Sequence, residues 1–151
     1  MKKQFILLFI LAGLFSACST NVIYSHFSPM KSGEWHIDSI VRFETPITDT
    51  AISYRTILYV RHSERYPYQN MWLFIGDSLH RDTIEFYLAD DRGQWLGNHH
   101  NGIIEMPVLL DENRHFADTG VYVLEVQHGM RDSVLRGVMD VGLEIYKNGQ
   151  E

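Results

Sequence analysis

The chain is poor in cysteine, in basic residues and in long apolar runs, and each shortage excludes something. Cys18 is the only cysteine in 151 residues, so no internal disulfide can form. The 13 Lys and Arg are outnumbered by 19 Asp and Glu and form no cluster, which argues against nucleic acid or an anionic lipid surface as a partner. The long apolar run, from Phe5 to Phe15, falls well short of the roughly 20 residues a spanning helix needs. Past that run no stretch keeps a helical period, and no Gly-x-Ser-x-Gly occurs to seat a nucleophilic serine.

What is present begins with a targeting segment. Lys2 and Lys3 precede the apolar run, and the small residues Ser16 and Ala17 precede Cys18. That order is a secretory signal. The sequence LFSAC resembles the lipobox of bacterial lipoproteins, in which the thiol takes a diacylglyceryl group before cleavage; Phe15 stands where leucine is commonest. The expected division is a signal peptide over 1–17, a lipidated N-terminus and spacer over 18–34, and one domain over 35–151. Two acyl chains suffice for stable anchoring, at about 0.8 kcal/mol per buried methylene. Loss of Lys2 and Lys3 takes the formal charge from -6 to -8. The residues after Cys18, Ser19 to Val22, lack the acidic cluster that resembles a surface-export signal. The expected location is therefore the outer or inner membrane, with the domain facing the periplasm.

The remaining length suits one domain, and an aromatic content of 13% is more than a disordered tail carries. Residues 19–34 are rich in turn formers and read mostly as spacer, with 22–24 able to join a sheet edge. Beyond Trp35, short apolar runs alternate with turn signals. Strands are expected over 40–44, 52–62, 71–76, 83–89, 103–110, 120–126 and 138–146. In the second, Tyr54, Thr56, Leu58 and Val60 share a face, opposite Arg55, Ile57, Tyr59 and Arg61. Pro107 restricts its run to an edge or a bulge. The pattern predicts an all-β fold, an antiparallel β-sandwich of jelly-roll or immunoglobulin-like type.

Three blocks carry a resemblance: RHSERYPYQNMWLFI from Arg61, DTIEFYLADDRGQWLG from Asp82, and TGVYVLEVQHGMRDSVLRGVMDVGLEIYK from Thr119. With the lipobox, and with Trp35 entering an Ile-Val-Arg-Phe strand, they resemble the GldH family of gliding-motility lipoproteins of Bacteroidota. The resemblance implies a lipid-anchored, periplasm-facing accessory of the envelope machinery behind gliding and the linked type 9 secretion system. One stretch departs from it. After Trp95-Leu96-Gly97 similar proteins continue with a small glycine-rich turn, whereas Asn98-His99-His100-Asn101 intervenes here before Gly102.

No constellation of side chains points to catalysis, and no cofactor or metal is expected. Adjacent histidines such as His99 and His100 point to opposite faces of a strand and cannot there chelate one ion. Asp90 and Asp91 sit in a turn, where carboxylates bond their own backbone. The sole thiol is expected to be acylated. Aromatic residues offer the remaining candidate, a binding face for a partner protein or, alternatively, a glycan. Trp72 reads as core, and Trp95 is open to either reading. Tyr66 and Tyr68 flank Pro67 in a stiff loop, where they either present themselves to a partner or cap the sandwich. Asn70 follows, and Arg131 beside Asp132 makes either an ion pair or an interaction edge. The expected function is a non-catalytic lipoprotein docking onto envelope proteins through Tyr66, Tyr68, Asn70, Trp95 and Arg131. The alternative is a lipid-anchored glycan-binding module.

Overall fold

A computed structural model describes residues 21–77 and 80–149, so the signal segment and Cys18 lie outside the described residues. All seven expected strands are present, with ends shifted by a few residues: β3 (Val41–Ile47), β4 (Tyr54–Ser63), β5 (Asn70–Gly76), β6 (Arg81–Tyr87), β8 (Ile103–Arg114), β9 (Gly120–His128) and β11 (Val138–Lys147). Four more complete the set: β1 (Val22–Pro29), β2 (Glu34–His36), β7 (Asn98–His100) and β10 (Val134–Arg136). A five-stranded sheet in the order β1-β11-β4-β8-β7 packs on a four-stranded sheet in the order β3-β9-β5-β6, and β2 pairs with β10 in a small third sheet. Every pairing is antiparallel.

Period 2 builds the interior. β3 alternates strictly, burying Val41, Phe43, Thr45 and Ile47, and β4 buries Tyr54, Thr56, Leu58 and Val60 as the sequence predicts. Leu73, Leu124, Val126, Leu143 and Ile145 meet them from the neighbouring strands. Pro107 lies where β8 has lost its outer partner, because β7 pairs only with residues 103–105. The outer side of β8 is therefore an open edge at this position, where a residue without an amide donor is tolerated.

The segment expected mostly as spacer is different. Residues 22–29 form β1, paired with β11 from Val22↔Tyr146 to Pro29↔Asp140, so the sheet starts at Val22 and not at residue 35. Ser25, His26, Ser28 and Pro29 hide it in the sequence, but an edge strand needs only one ladder. Phe27 supplies packing: its ring lies over Gly142 and tilts against Tyr59 at 5.8 Å.

Strand directions sort the connections into two ends. Residues 30–40, 64–69, 88–97 and 129–133 lie at the end where β4 finishes, called here the upper end. Residues 48–53, the β5–β6 turn and residues 115–119 lie at the lower end, where β4 begins. Asn21 and Asn148 are at the lower end too, since the Lys147 amide donates to Asn21 O at 2.8 Å and the Asn148 amide to Ser53 O at 3.0 Å. The upper end is the more elaborate. There Trp35 is fully buried, donates Nε1–H to Ser39 O at 2.8 Å and meets His128 edge-on at 5.4 Å.

Candidate partner-binding site

The loop from β4 to β5 is pinned by Tyr66. Its ring is 2% exposed and its hydroxyl donates to Asn70 O at 2.8 Å, closing the Tyr66–Asn70 turn on itself. Burial raises the phenol pKa well above its usual value, so it stays a donor. Edge-on contacts join the ring to Tyr68 at 6.0 Å and to Trp95 at 6.4 Å. Trp95 in turn meets the buried His62 ring at 4.7 Å. Tyr66 and Trp95 are therefore the foundation of the upper end, and neither forms an open platform.

Tyr68, Asn70 and Arg131 do come together. With Trp72, Gly129 and Met130 they line a shallow groove of about 320 Å³. The Tyr68 hydroxyl donates to Asp132 Oδ2 at 2.7 Å, and that hydrogen bond pushes its pKa up. Asn70 Nδ2 donates to Glu85 Oε1 at 2.6 Å. The Gly129 amide donates to Trp72 O at 2.7 Å, and the Trp72 amide points at Met130 Sδ at 3.3 Å. A side chain at 129 would sit 3.2 Å from the Phe74 ring, so this glycine leaves both β5 aromatics uncovered.

Trp72 corrects the expectation that it belongs to the core. It is 39% exposed, as is Phe74, and Tyr87 on the neighbouring strand is 56% exposed. The run Met-Trp-Leu-Phe-Ile looks uniformly apolar, yet Met71 and Leu73 face inward, so period 2 turns Trp72 and Phe74 outward. The readable signal was that alternation; continuous hydrophobicity masked it. Phe74 and Tyr87 are thus site candidates that the sequence reading missed.

The outer face of the other sheet shows what a satisfied aromatic surface looks like. Phe27 lies against Gly142 with the Arg61 guanidinium 3.9 Å from its ring centre, and Arg61 also pairs with Glu105 at 2.7 Å and Asp140 at 3.8 Å. Glu144 accepts from Ser25 at 2.9 Å and from Tyr146. Burial works against the Glu144 charge, but these hydroxyl bonds outweigh it and lower the pKa. No comparable partners cover Trp72 and Phe74 among the described residues.

The remaining candidates have local explanations. Asp90 Oδ1 accepts the amides of Arg92 and Gln94, each at 2.9 Å, as a turn carboxylate does. His99 and His100 are exposed on β7, with His99 Nε2 3.1 Å from Trp95 O and His100 Nε2 3.1 Å from Asn101 Nδ2. Among the described residues, no group of three or more His, Cys, Asp or Glu is placed to hold a metal ion.

Comparison with known proteins agrees with the resemblance in the sequence. The family described as GldH lipoprotein matches residues 22–145. "Gliding motility lipoprotein GldH homolog" of Christiangramia forsetii is 31% identical over 147 residues, covering 89% of this chain and 90% of that protein. "Gliding motility lipoprotein GldH" of Flavobacterium johnsoniae is 28% identical over 157 residues, covering 96% of each. The match spans both sheets, β1 included, and on it the chain belongs to the GldH lipoprotein family.

Proposed function

We propose that this chain is a membrane-anchored envelope lipoprotein of the gliding-motility apparatus, tethered through Cys18 with its domain in the periplasm. It acts by docking onto another envelope protein and not by catalysis. One observation carries the docking reading: Trp72, Phe74 and Tyr87 form an uncovered aromatic band beside the groove of Tyr68, Asn70 and Arg131. Interface anchors are typically aromatic residues and arginine, which combine large contact area with hydrogen-bonding tips. Here the strands fix the aromatic positions, so little order has to be gained on binding.

The test is capture from detergent-solubilised envelopes after photo-crosslinking from position 87, which lies on the same exposed face and is left unchanged in the variant compared. A specific envelope protein should be recovered with the parent chain and lost with Trp72→Ala/Arg131→Ala. Recovery of the same proteins by the double variant sinks the reading. The rival occupant is an oligosaccharide lying on the same aromatic side chains; saturable glycan binding abolished by Trp72→Ala, with no protein captured, would put it first.

A further inference from the structure

The distance from the lipid-bearing residue to the first strand is very short. Only Ser19 and Thr20 separate Cys18 from Asn21, where the described chain begins. Three Cα–Cα steps span at most about 11 Å. Asn21 is fastened at the lower end by the Lys147 amide, and β1 follows at once in a seven-pair ladder with β11. The sandwich is longer than that leash. β4 runs ten residues from the lower end to the upper, about 30 Å at roughly 3.3 Å per residue. The leash therefore cannot carry the upper end down to the level of the lipid without turning the domain on its side.

The lower end has a surface suited to lying beside headgroups. Thr48, Asp49, Thr50, Asp118 and Thr119 are small and polar. The nearby apolar rings turn inward: Phe116 packs edge-on against Tyr54 at 5.5 Å and Tyr122 at 4.9 Å. Asp49, Asp77, Asp111, Glu112 and Asp118 outnumber Arg81, Arg114 and Lys147 at this end. Arg114 is occupied over the ring of Tyr122 at 4.8 Å. Among the described residues this end has no basic cluster to hold anionic lipid, and its one large exposed apolar side chain is Val121, too little surface to insert, so it suits a neutral or zwitterionic headgroup layer.

We propose that the lower end of the sandwich lies against the headgroup layer of the membrane that holds Cys18, and that the groove of Tyr68, Trp72 and Arg131 is thereby presented about 30 Å further out. The orientation rests on the reading of Cys18 as the lipid-bearing residue, and it makes the docking site membrane-distal. The partner must then reach down to the groove from the compartment beyond the headgroups.

Mature lipoprotein carrying Thr50→Cys or Glu64→Cys offers one free thiol for a fluorophore, because Cys18 is spent on its thioether. Thr50 is exposed at the lower end and Glu64 at the upper, outside the groove. Each labelled protein is bound to vesicles of phosphatidylethanolamine and phosphatidylcholine that contain a headgroup-linked nitroxide, a short-range quencher. The Thr50 label should be quenched about threefold or more strongly than the Glu64 label, given a leash of roughly 11 Å. A flexible insert of about 20 Gly/Ser residues between Thr20 and Asn21 should erase the difference while leaving flotation with the vesicles intact. Equal quenching in the parent protein, or a contrast that survives the insert, overturns the orientation. Mass spectrometry tests the anchor separately: an unmodified Cys18 on protein that does not float overturns the lipid reading itself.

Discussion

Gly142→Ala isolates the contact that builds the strand hidden in the expected spacer. Gly142 has an ordinary extended backbone and lies in the middle of β11, opposite Phe27 across the β1 ladder. In such a position alanine ordinarily stabilises relative to glycine by roughly 0.5–1 kcal/mol, because it gives up less backbone freedom on folding. Here a Cβ would fall within the Phe27 ring, touching Cδ1 and Cε1 and lying 2.8 Å from Cγ. Because the atom nearest the backbone is among those touched, a small rotation of the ring tip does not relieve the overlap. The whole ring must leave, and with it the Arg61 guanidinium contact at 3.9 Å. Overpacking of this kind costs about 1–3 kcal/mol. Gly142→Ala alone should therefore destabilise by about that amount, lowering the melting temperature by roughly 3–8 °C at this chain length. In a Phe27→Ala background the same change should turn to a gain of about 0.5–1 kcal/mol. Urea unfolding of the four chains, followed by tryptophan fluorescence, gives the coupling between the sites, expected at about 1.5–4 kcal/mol. If Gly142→Ala stabilises the parent chain, or costs the same with and without Phe27, the ring does not lie on Gly142 and the account of β1 fails.

Two further predictions concern the upper end. Gly137 has φ +85°, and a Cβ there would lie 2.8 Å from Arg65 C and Tyr66 Cα; Gly137→Ala should lose at least about 2 kcal/mol in urea unfolding, and a neutral result would refute the close packing of the β4–β5 loop. His62 and His128 are each 0% exposed, and burial lowers the pKa of both. The native rings stay neutral where the unfolded ones take up protons, so stability is full above about pH 6.5 and falls as pH drops from there through the depressed native values. Each ring contributes up to about 1.4 kcal/mol per pH unit in that window, before carboxylates begin to titrate near pH 5; a urea midpoint unchanged between pH 7.5 and 5.5 would refute it.

The strands legible in the sequence are those whose hydrophobic alternation runs for four or more residues, β4 above all. Its two faces follow the residues without exception. β2, β7, β10 and the part of β1 beyond residue 24 escaped, and they are fixed by pairing and not by composition. β2, β7 and β10 have three residues each, too few to show a period. β1 is long enough, but its serines, histidine and proline resemble a linker, and its only ladder, with β11, lies 119 residues away for the pair Ser25 and Glu144. The site was half legible for the same reason. Tyr68 and Arg131 stand out as loop residues, and Asn70 as the polar residue that opens β5. Tyr66 and Trp95 have the same chemistry, yet only the packing of His62 beneath them shows that they support the groove without lining it.

The misread spacer bears on function more than on fold. Thirteen flexible residues from 22 to 34 would add up to about 45 Å of reach and leave the domain free to tumble over its anchor. Paired as β1 and β2, the same residues add none. With lipid on Cys18 and docking at the groove, as proposed, the two lie at opposite ends of the strands, and any load passed between a docked partner and the membrane runs along the strand axes. Ladder hydrogen bonds lie perpendicular to that direction. A pull on Cys18 therefore strains the seven pairs of β1 and β11 together and does not open them one at a time from an end. The Phe27–Gly142 contact, near the middle of that ladder, is where resistance to such a pull should concentrate. Gly142→Ala should weaken the tethered protein under force even in conditions where it stays folded at rest.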